Sequence, residues 1–328
     1  MNLRNTRLWV AAALIAAVSG CSGASNTTIV RSPGTEGARV APQALGTWVT
    51  KAPMPTARTW LAAGAINGIL YAVGGYDASN KNLSTVEAYN PTTDSWTTKA
   101  PMPTARYALA IGVVNGILYA VGGYNGTCKF GNCGLNMVEA YNPMTDSWTT
   151  KAPMPTGRFG LAVGVVNGIL YAVGGESDPY LSTVEAYDPT TDTWTTKASM
   201  PTPRPNLAVG VINGVLYAVG GSYSINTVEA YDPVVDTWTT KAPMKRKGCC
   251  LASSILGDRL YAIGGINGTQ GRHTVEVYNP STNTWTTTVS MPTTRWALAS
   301  RVIGHTIYVV GGANSSGVLN TVEAFTRM

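Results

Sequence analysis

The chain has 328 residues, of which 36 are glycine, 45% are hydrophobic and only 12% are charged, with a formal net charge of +6. Two of the basic residues, Arg4 and Arg7, lie in a segment expected to be removed. The others are spread through the sequence and form no basic stripe, so no nucleic-acid partner is expected. Abundant Gly, Thr, Val and Tyr, with no amphipathic helical stretch after the first twenty residues, exclude a helical protein and favour many short strands joined by turns.

Residues 1–7 carry Arg4 and Arg7 and no acid, and residues 8–18 are apolar throughout. Eleven residues of helix reach about 16 Å, short of a hydrocarbon core of about 30 Å, so this is the core of a signal peptide and not a span. It runs into Val18-Ser19-Gly20-Cys21, which resembles the lipobox of bacterial lipoproteins. The resemblance implies that residues 1–20 are removed and that the Cys21 thiol takes a diacylglycerol. The product would be exported and lipid-anchored to the bacterial cell envelope, with Ser22 favouring the outer membrane or cell surface. The alternative is an ordinary secreted protein with a free Cys21. Residues 21–45 are rich in small and turn-forming types without periodicity and read as a flexible tether.

From residue 46 onward the sequence repeats. The run Ile-Leu-Tyr-Ala-Val-Gly-Gly at residues 117–123 has six copies, whose glycine pairs are 44 to 52 residues apart. Such a period marks a solenoid, propeller or array. In the second copy, residues 107–114 form an apolar, β-branched run that ends at Asn115-Gly116, a hairpin turn signal. Residues 117–121 return, and a variable insert follows Gly122-Gly123. A third strand carries Val-Glu-Ala-Tyr at residues 138–141, an Asn-Pro-containing turn spans residues 142–146, and a fourth strand holds Trp148. Four short antiparallel strands, six times over, make an all-β, six-bladed propeller covering residues 46–328. The last copy lacks a fourth strand, and the sequence around Trp48 has the missing pattern. An N-terminal strand is therefore expected to complete the last blade and close the propeller. The glycine pair, the third-strand aromatic and the fourth-strand Trp closely resemble the kelch repeat.

Six Glu recur on the third strand (Glu87, Glu139, Glu185, Glu229, Glu276, Glu323) and five Arg at the entry to the first (Arg58, Arg106, Arg158, Arg204, Arg295), with Gly248 at the sixth entry. A charge needed once per blade reads as a buried pair holding the sheet. Function is expected where the repeat is broken. The inserts and the connectors between blades emerge on one face, and kelch propellers typically bind partners there. That face carries Trp60, Tyr107, Phe159 and Trp296 beside connector arginines such as Arg106 and Arg204. The inserts add Tyr76, Tyr124, Glu176, Tyr223 and His273. An aromatic rim with a few charges suits a protein loop or a sugar. The leading expectation is therefore a monomeric binding module for a protein or carbohydrate ligand, leaning away from an enzyme, with no cofactor and no metal.

Two enzymatic resemblances bear on that expectation. Copper oxidases of the galactose-oxidase kind need two His ligands on this scaffold, but His273 and His305 fall on opposite faces. A sialic-acid mutarotase, also an exported bacterial six-bladed kelch protein, needs a carboxylate over the funnel. Apart from repeat positions, the tether and the far face, only Asp77, Glu176 and Asp178 qualify, and Glu176 directly after Gly174-Gly175 is the best placed. A structural surface lipoprotein with no specific ligand is the third alternative. Cys128 and Cys133, both in the longest insert, are expected to form a local disulfide. Cys249-Cys250 admits a vicinal disulfide, two thiols or bridges elsewhere, and a four-Cys zinc site is disfavoured because blades two and five lie across the ring from each other.

Overall fold

The computed structural model describes residues 46–127 and 133–328. Cys21, Cys128, the signal peptide and the whole tether lie outside the described residues. Six four-stranded antiparallel sheets form the blades. Blade two shows the pattern: Ala110–Val114, Ile117–Val121, Val138–Asn142 and Ser147–Lys151, in that spatial order from the axis outward. Asn115, with φ of 49°, and Gly116, with φ of 75°, turn the first strand into the second as the hairpin signal requires. The second and third strands are almost wholly buried, whereas the fourth alternates, with Trp148 half-buried between exposed neighbours. Inner strands covered on both faces by adjacent blades lose their alternation, and the outer strand keeps it.

The blades meet through aromatic pairs. Each second-strand Tyr packs on the third-strand aromatic of the next blade. Tyr71–Tyr141, Tyr119–Tyr187, Tyr171–Tyr231, Tyr217–Tyr278, Tyr261–Phe325 and Tyr308–Tyr89 have ring centroids 5.6–5.9 Å apart. The repeated Trp and Asp clip one blade to the previous connector. Trp148 Nε1 donates to Ala100 O at 2.9 Å, while Ala100 N donates to Asp146 Oδ1 at 2.9 Å. The same two bonds recur for Trp96 and Asp94 on Ala52, for Trp194 and Asp192 on Ala152, and for Trp238 and Asp236 on Ala198. A backbone N–H and C=O that would otherwise be left open at the blade junction are both satisfied.

The recurring charges are buried pairs within each blade. Arg58–Glu87, Arg106–Glu139 and Arg158–Glu185 are each 2.5 Å apart and Arg204–Glu229 2.9 Å, with Arg295–Glu323 the fifth. A connector Thr hydroxyl donates to the other Glu oxygen, as from Thr56 to Glu87 at 2.7 Å, and the guanidinium reaches carbonyls around the glycine pair. Such a network fastens the connector to the third strand. The glycine pair lets the next blade come close: Gly75 N donates to Arg106 O at 3.0 Å, and a Cβ on Gly74 would stand 2.6 Å from that same oxygen.

The expected closure needs correction. Among the described residues no sheet is closed by hydrogen bonds; all six blades are open. Thr47–Lys51 pairs antiparallel with Val322–Thr326, Trp48 opposite Phe325, as the outer strand of one open sheet. Hydrogen bonds do close the ring, but at its neck and through other residues. The residue two positions before each first strand donates its N–H to the equivalent carbonyl of the preceding blade. The circuit runs Ala108 to Trp60, Trp60 to Ala297, Ala297 to Cys250, Cys250 to Asn206, Asn206 to Gly160 and Gly160 to Ala108, at 2.7–3.1 Å. All six residues have φ between 50° and 61°. Below the neck the first strands line an axial channel. There Arg301 stands where four blades have Gly64, Gly112, Gly164 and Gly210, and its guanidinium donates across to Ile111 O of blade two at 3.0 Å.

Candidate functional site

In five blades the residue after the glycine pair forms an isolated antiparallel bridge with the residue after the connector Arg, or in blade five with the residue after Gly248, which stands in its place. These are Thr59–Tyr76, Tyr107–Tyr124, Phe159–Glu176, Cys249–Ile266 and Trp296–Ala313. One backbone device therefore sets inserts and connectors side by side on one face. It also explains the position of Glu176, whose N–H donates to Phe159 O at 2.7 Å and whose slot holds Tyr76, Tyr124, Ile266 and Ala313 elsewhere. A carboxylate occupies this slot in blade three alone.

The bridges carry a row of aromatic rings. Tyr76–Tyr107 and Tyr107–Tyr124 meet edge to face at 5.1 and 5.5 Å, and Tyr124–Phe159 is tilted at 5.4 Å. Such contacts fix ring orientation. Tyr76, Tyr107 and Phe159, with Trp60, wall a chamber of about 350 Å³ above the neck, which Asn80, Asn82, Asn206 and Glu176 complete. Burial raises the Glu176 carboxyl above the usual carboxylate range, with no cation offsetting it. The Tyr107 hydroxyl is pushed up to about 12, mostly by burial, with Tyr124, Tyr76 and Glu176 adding to it. Asn206 sits against Gly160: a Cβ there would stand 2.3 Å from Asn206 Oδ1, so any larger residue must displace the carboxamide.

Of the residues expected to bind ligand, Trp60, Tyr76, Tyr107, Phe159 and Glu176 line the chamber, and Tyr124 is wedged behind Tyr107 and Phe159. Tyr223 is half-exposed at the rim. Trp296 packs with Trp60 on a separate cluster of Cys249, Cys250 and Ile266, and His273 is exposed in its insert. Arg106 and Arg204 require correction: both are fully buried, their charge taken up by Glu139 and Glu229, and neither reaches the loop face. Of the other two acids considered, Asp77 accepts N–H bonds from Ser79 and Lys81 of its own loop, and Asp178 is exposed. The sequence reading missed Asn80, Asn82 and Asn206. Asn206 gave no signal, since its neck position holds Trp60, Ala108, Gly160, Cys250 and Ala297 in the other blades and no residue type marks it.

Cys249 and Cys250 are buried free thiols. Cys133 is disulfide-bonded, while Cys128, its expected partner, lies outside the described residues. In blade five, which lacks the connector Arg, Glu276 accepts from the Lys245 N–H at 2.8 Å; burial raises its carboxyl, partly offset by that bond and by the charges of Arg246, Lys245 and Arg272.

Residues 43–221 match the KLHDC2/KLHL20/DRC7 Kelch-repeats domain, and residues 203–245 and 247–292 match the Kelch motif. The chain is a kelch-repeat protein. Among curated kelch proteins it is 36% identical over 108 residues to Kelch-like ECH-associated protein 1A of Danio rerio, and 37% identical over 108 residues to Kelch-like ECH-associated protein 1B of the same organism. Each match covers 33% of this kelch chain and spans 18% of the relative's length. A solved structure titled "Structure of YjhT" shares the fold with a TM-score of 0.73 at 17% identity, over 82% of this chain and 95% of that one.

These findings correct the expectation of a binding module that leans away from catalysis. The likeness to Kelch-like ECH-associated proteins is partial, whereas the likeness in fold to YjhT extends over nearly all of that chain. The aromatics, moreover, do not spread as a broad rim. They turn inward around a compact chamber with one carboxylate in its wall, as an enzyme pocket does.

Proposed function

We propose that this kelch propeller is a carbohydrate-active enzyme of the mutarotase type, which interconverts the anomers of a free sugar in the Glu176 chamber. The observation that carries the reading is a single half-buried carboxylate with a raised pKa, facing an aromatic and carboxamide-lined pocket. Mutarotation needs only proton transfers at two oxygens, so one acid/base group and a hydroxyl donor suffice. Ionised Glu176 takes the proton from the anomeric hydroxyl as the Tyr107 hydroxyl, protonated throughout the neutral range, donates to the ring oxygen. The C1–O5 bond breaks to give the open-chain carbonyl. Rotation about C1–C2 and closure with the protons returned yields the other anomer. Aromatic faces hold the ring's C–H surface, and the Asn carboxamides pair with its hydroxyls.

The head, residues 46–328, is further proposed to be exported and held to the envelope through Cys21, on the strength of the signal sequence and lipobox-like segment. The catalytic reading is tested by exchange NMR on freshly dissolved anomers. Wild type should accelerate interconversion, and Glu176→Gln should lose roughly 10²–10⁴-fold of that acceleration while still binding the sugar. Equal rates for the two proteins would refute the role of Glu176.

A further inference from the structure

We infer that the chamber selects a neutral monosaccharide and rejects acidic sugars such as uronic and sialic acids, an inference that rests on the proposed sugar-active site and narrows its substrate. The argument begins with a charge inventory. A sugar carboxylate is normally held by Arg or Lys, whose donors replace the water it loses. Here the connector arginines nearest the mouth are fully buried and already paired with glutamates. Lys81 lies between Asn80 and Asn82 but is exposed, and neither it nor any other described cation contributes to the Glu176 shift. Among the described residues, the chamber wall therefore holds one charge, and it is negative.

The polar remainder points the same way. Asn80, Asn82 and Asn206 each offer both a donor and an acceptor. That is the requirement of a hydroxyl, which also does both, whereas a carboxylate only accepts. The volume of about 350 Å³ is at the small end of ligand pockets, enough for one ring and not for an oligosaccharide. A second carboxylate in so small a space would sit within a few ångströms of Glu176, in an environment that already disfavours its charge. Like charges at that range should weaken binding by roughly 100-fold or more. An uncharged ring meets no such opposition.

The test uses isosteric pairs, D-glucose against D-glucuronate and D-galactose against D-galacturonate, with N-acetylneuraminate as a further acidic probe. Affinity for the full-length protein is measured by calorimetry and anomer exchange by NMR. The inference expects each neutral sugar to bind at least 100-fold tighter than its acidic partner, with N-acetylneuraminate among the weak ligands. In Glu176→Gln, which removes the repelling charge without changing shape, the gap should shrink to within about tenfold as turnover is lost. Equal or preferred binding of an acidic sugar by wild type would overturn the inference while leaving the catalytic reading intact. Neutral-selective binding without accelerated exchange would do the reverse. Failure of all five probes to bind would overturn both.

Discussion

Replacing Glu139 by Gln removes one charge of a buried pair and strands the other. Arg106 is fully enclosed, bonded to Glu139 at 2.5 Å and to Ala120 O at 3.1 Å, and the added carboxamide cannot neutralise it. Breaking such a pair from one side costs about 3–5 kcal/mol. Because Gln can still accept from the Thr104 hydroxyl, the lower end is expected. At about 2–4 °C per kcal/mol for a chain of this size class, Tm should fall by roughly 6–12 °C. Blade five supplies the internal control. Glu276 forms no ion pair with an arginine and accepts from Lys245 N; burial still raises its carboxyl, although the charges of Arg246, Lys245 and Arg272 offset part of that. Glu276→Gln should therefore be neutral or stabilising at pH 7. The sign of its pH dependence follows from that raised value: the native state holds the proton more tightly than the unfolded chain. Its favourable contribution is complete below the unfolded value of 4.5 and is lost as pH rises through the native one. Any advantage of Glu276→Gln should thus vanish on acidification toward pH 4.5. Thermal melts of both variants from pH 4.5 to 7 decide the matter. Equal losses in the two variants at pH 7, or a larger loss in Glu276→Gln, would refute the account of the repeated charges.

Trp148→Phe keeps most of the ring packing on Tyr141 but deletes the bond to Ala100 O, and urea denaturation should show a loss of about 1 kcal/mol. At the neck, Ala108→Gly relieves a side chain held at φ 51° and should be neutral or stabilise by up to about 1 kcal/mol. Gly160→Ala should destabilise in the same denaturation assay, because its Cβ meets Asn206. Hydrogen bonds from the Tyr141 hydroxyl and from Ala100 N hold Asp146 below its usual 3.8. Its contribution is therefore present above pH 3.8 and fades as pH falls through the native value, so Asp146→Asn should flatten the acid limb of a Tm–pH curve.

The six blades could be read from the sequence because each strand, turn and glycine pair is written in side chains and repeated. Trp148 and Asp146 recur for a reason the repeat alone does not reveal: together they clamp the connector Ala100. The closure was misjudged because the neck is made of backbone. Trp60, Ala108, Gly160, Asn206, Cys250 and Ala297 share a conformation but no chemistry, and no pattern of residue types marks them. Glu176 stood out because an acid interrupts a variable position directly after a glycine pair. Asn80 and Asn82 did not, since carboxamides are ordinary in loops and become informative only when folding turns them toward the same cavity. Arg106 and Arg204 were counted among the binders only because their connectors lie on the loop face; the buried-pair reading of the same residues holds, since the Glu on the third strand draws each guanidinium into the blade.

The neck circuit has neither a first nor a last member. Every N–H in it is consumed by the next carbonyl, so the floor of the funnel offers a ligand no free backbone donor and presents only the side chains of its five non-glycine members. Since the bonds that hold the circuit use none of those side chains, identity at a place can change without breaking the circuit, provided that the residue tolerates a left-handed backbone and clears its neighbour, as Gly160 does Asn206. The floor is thus a socket with exchangeable contacts. Asn, which adopts that conformation more readily than most residues, already fills one of them, and writing it into the places of Ala108 or Ala297 would retune what the funnel accepts without altering what holds the blades in a ring.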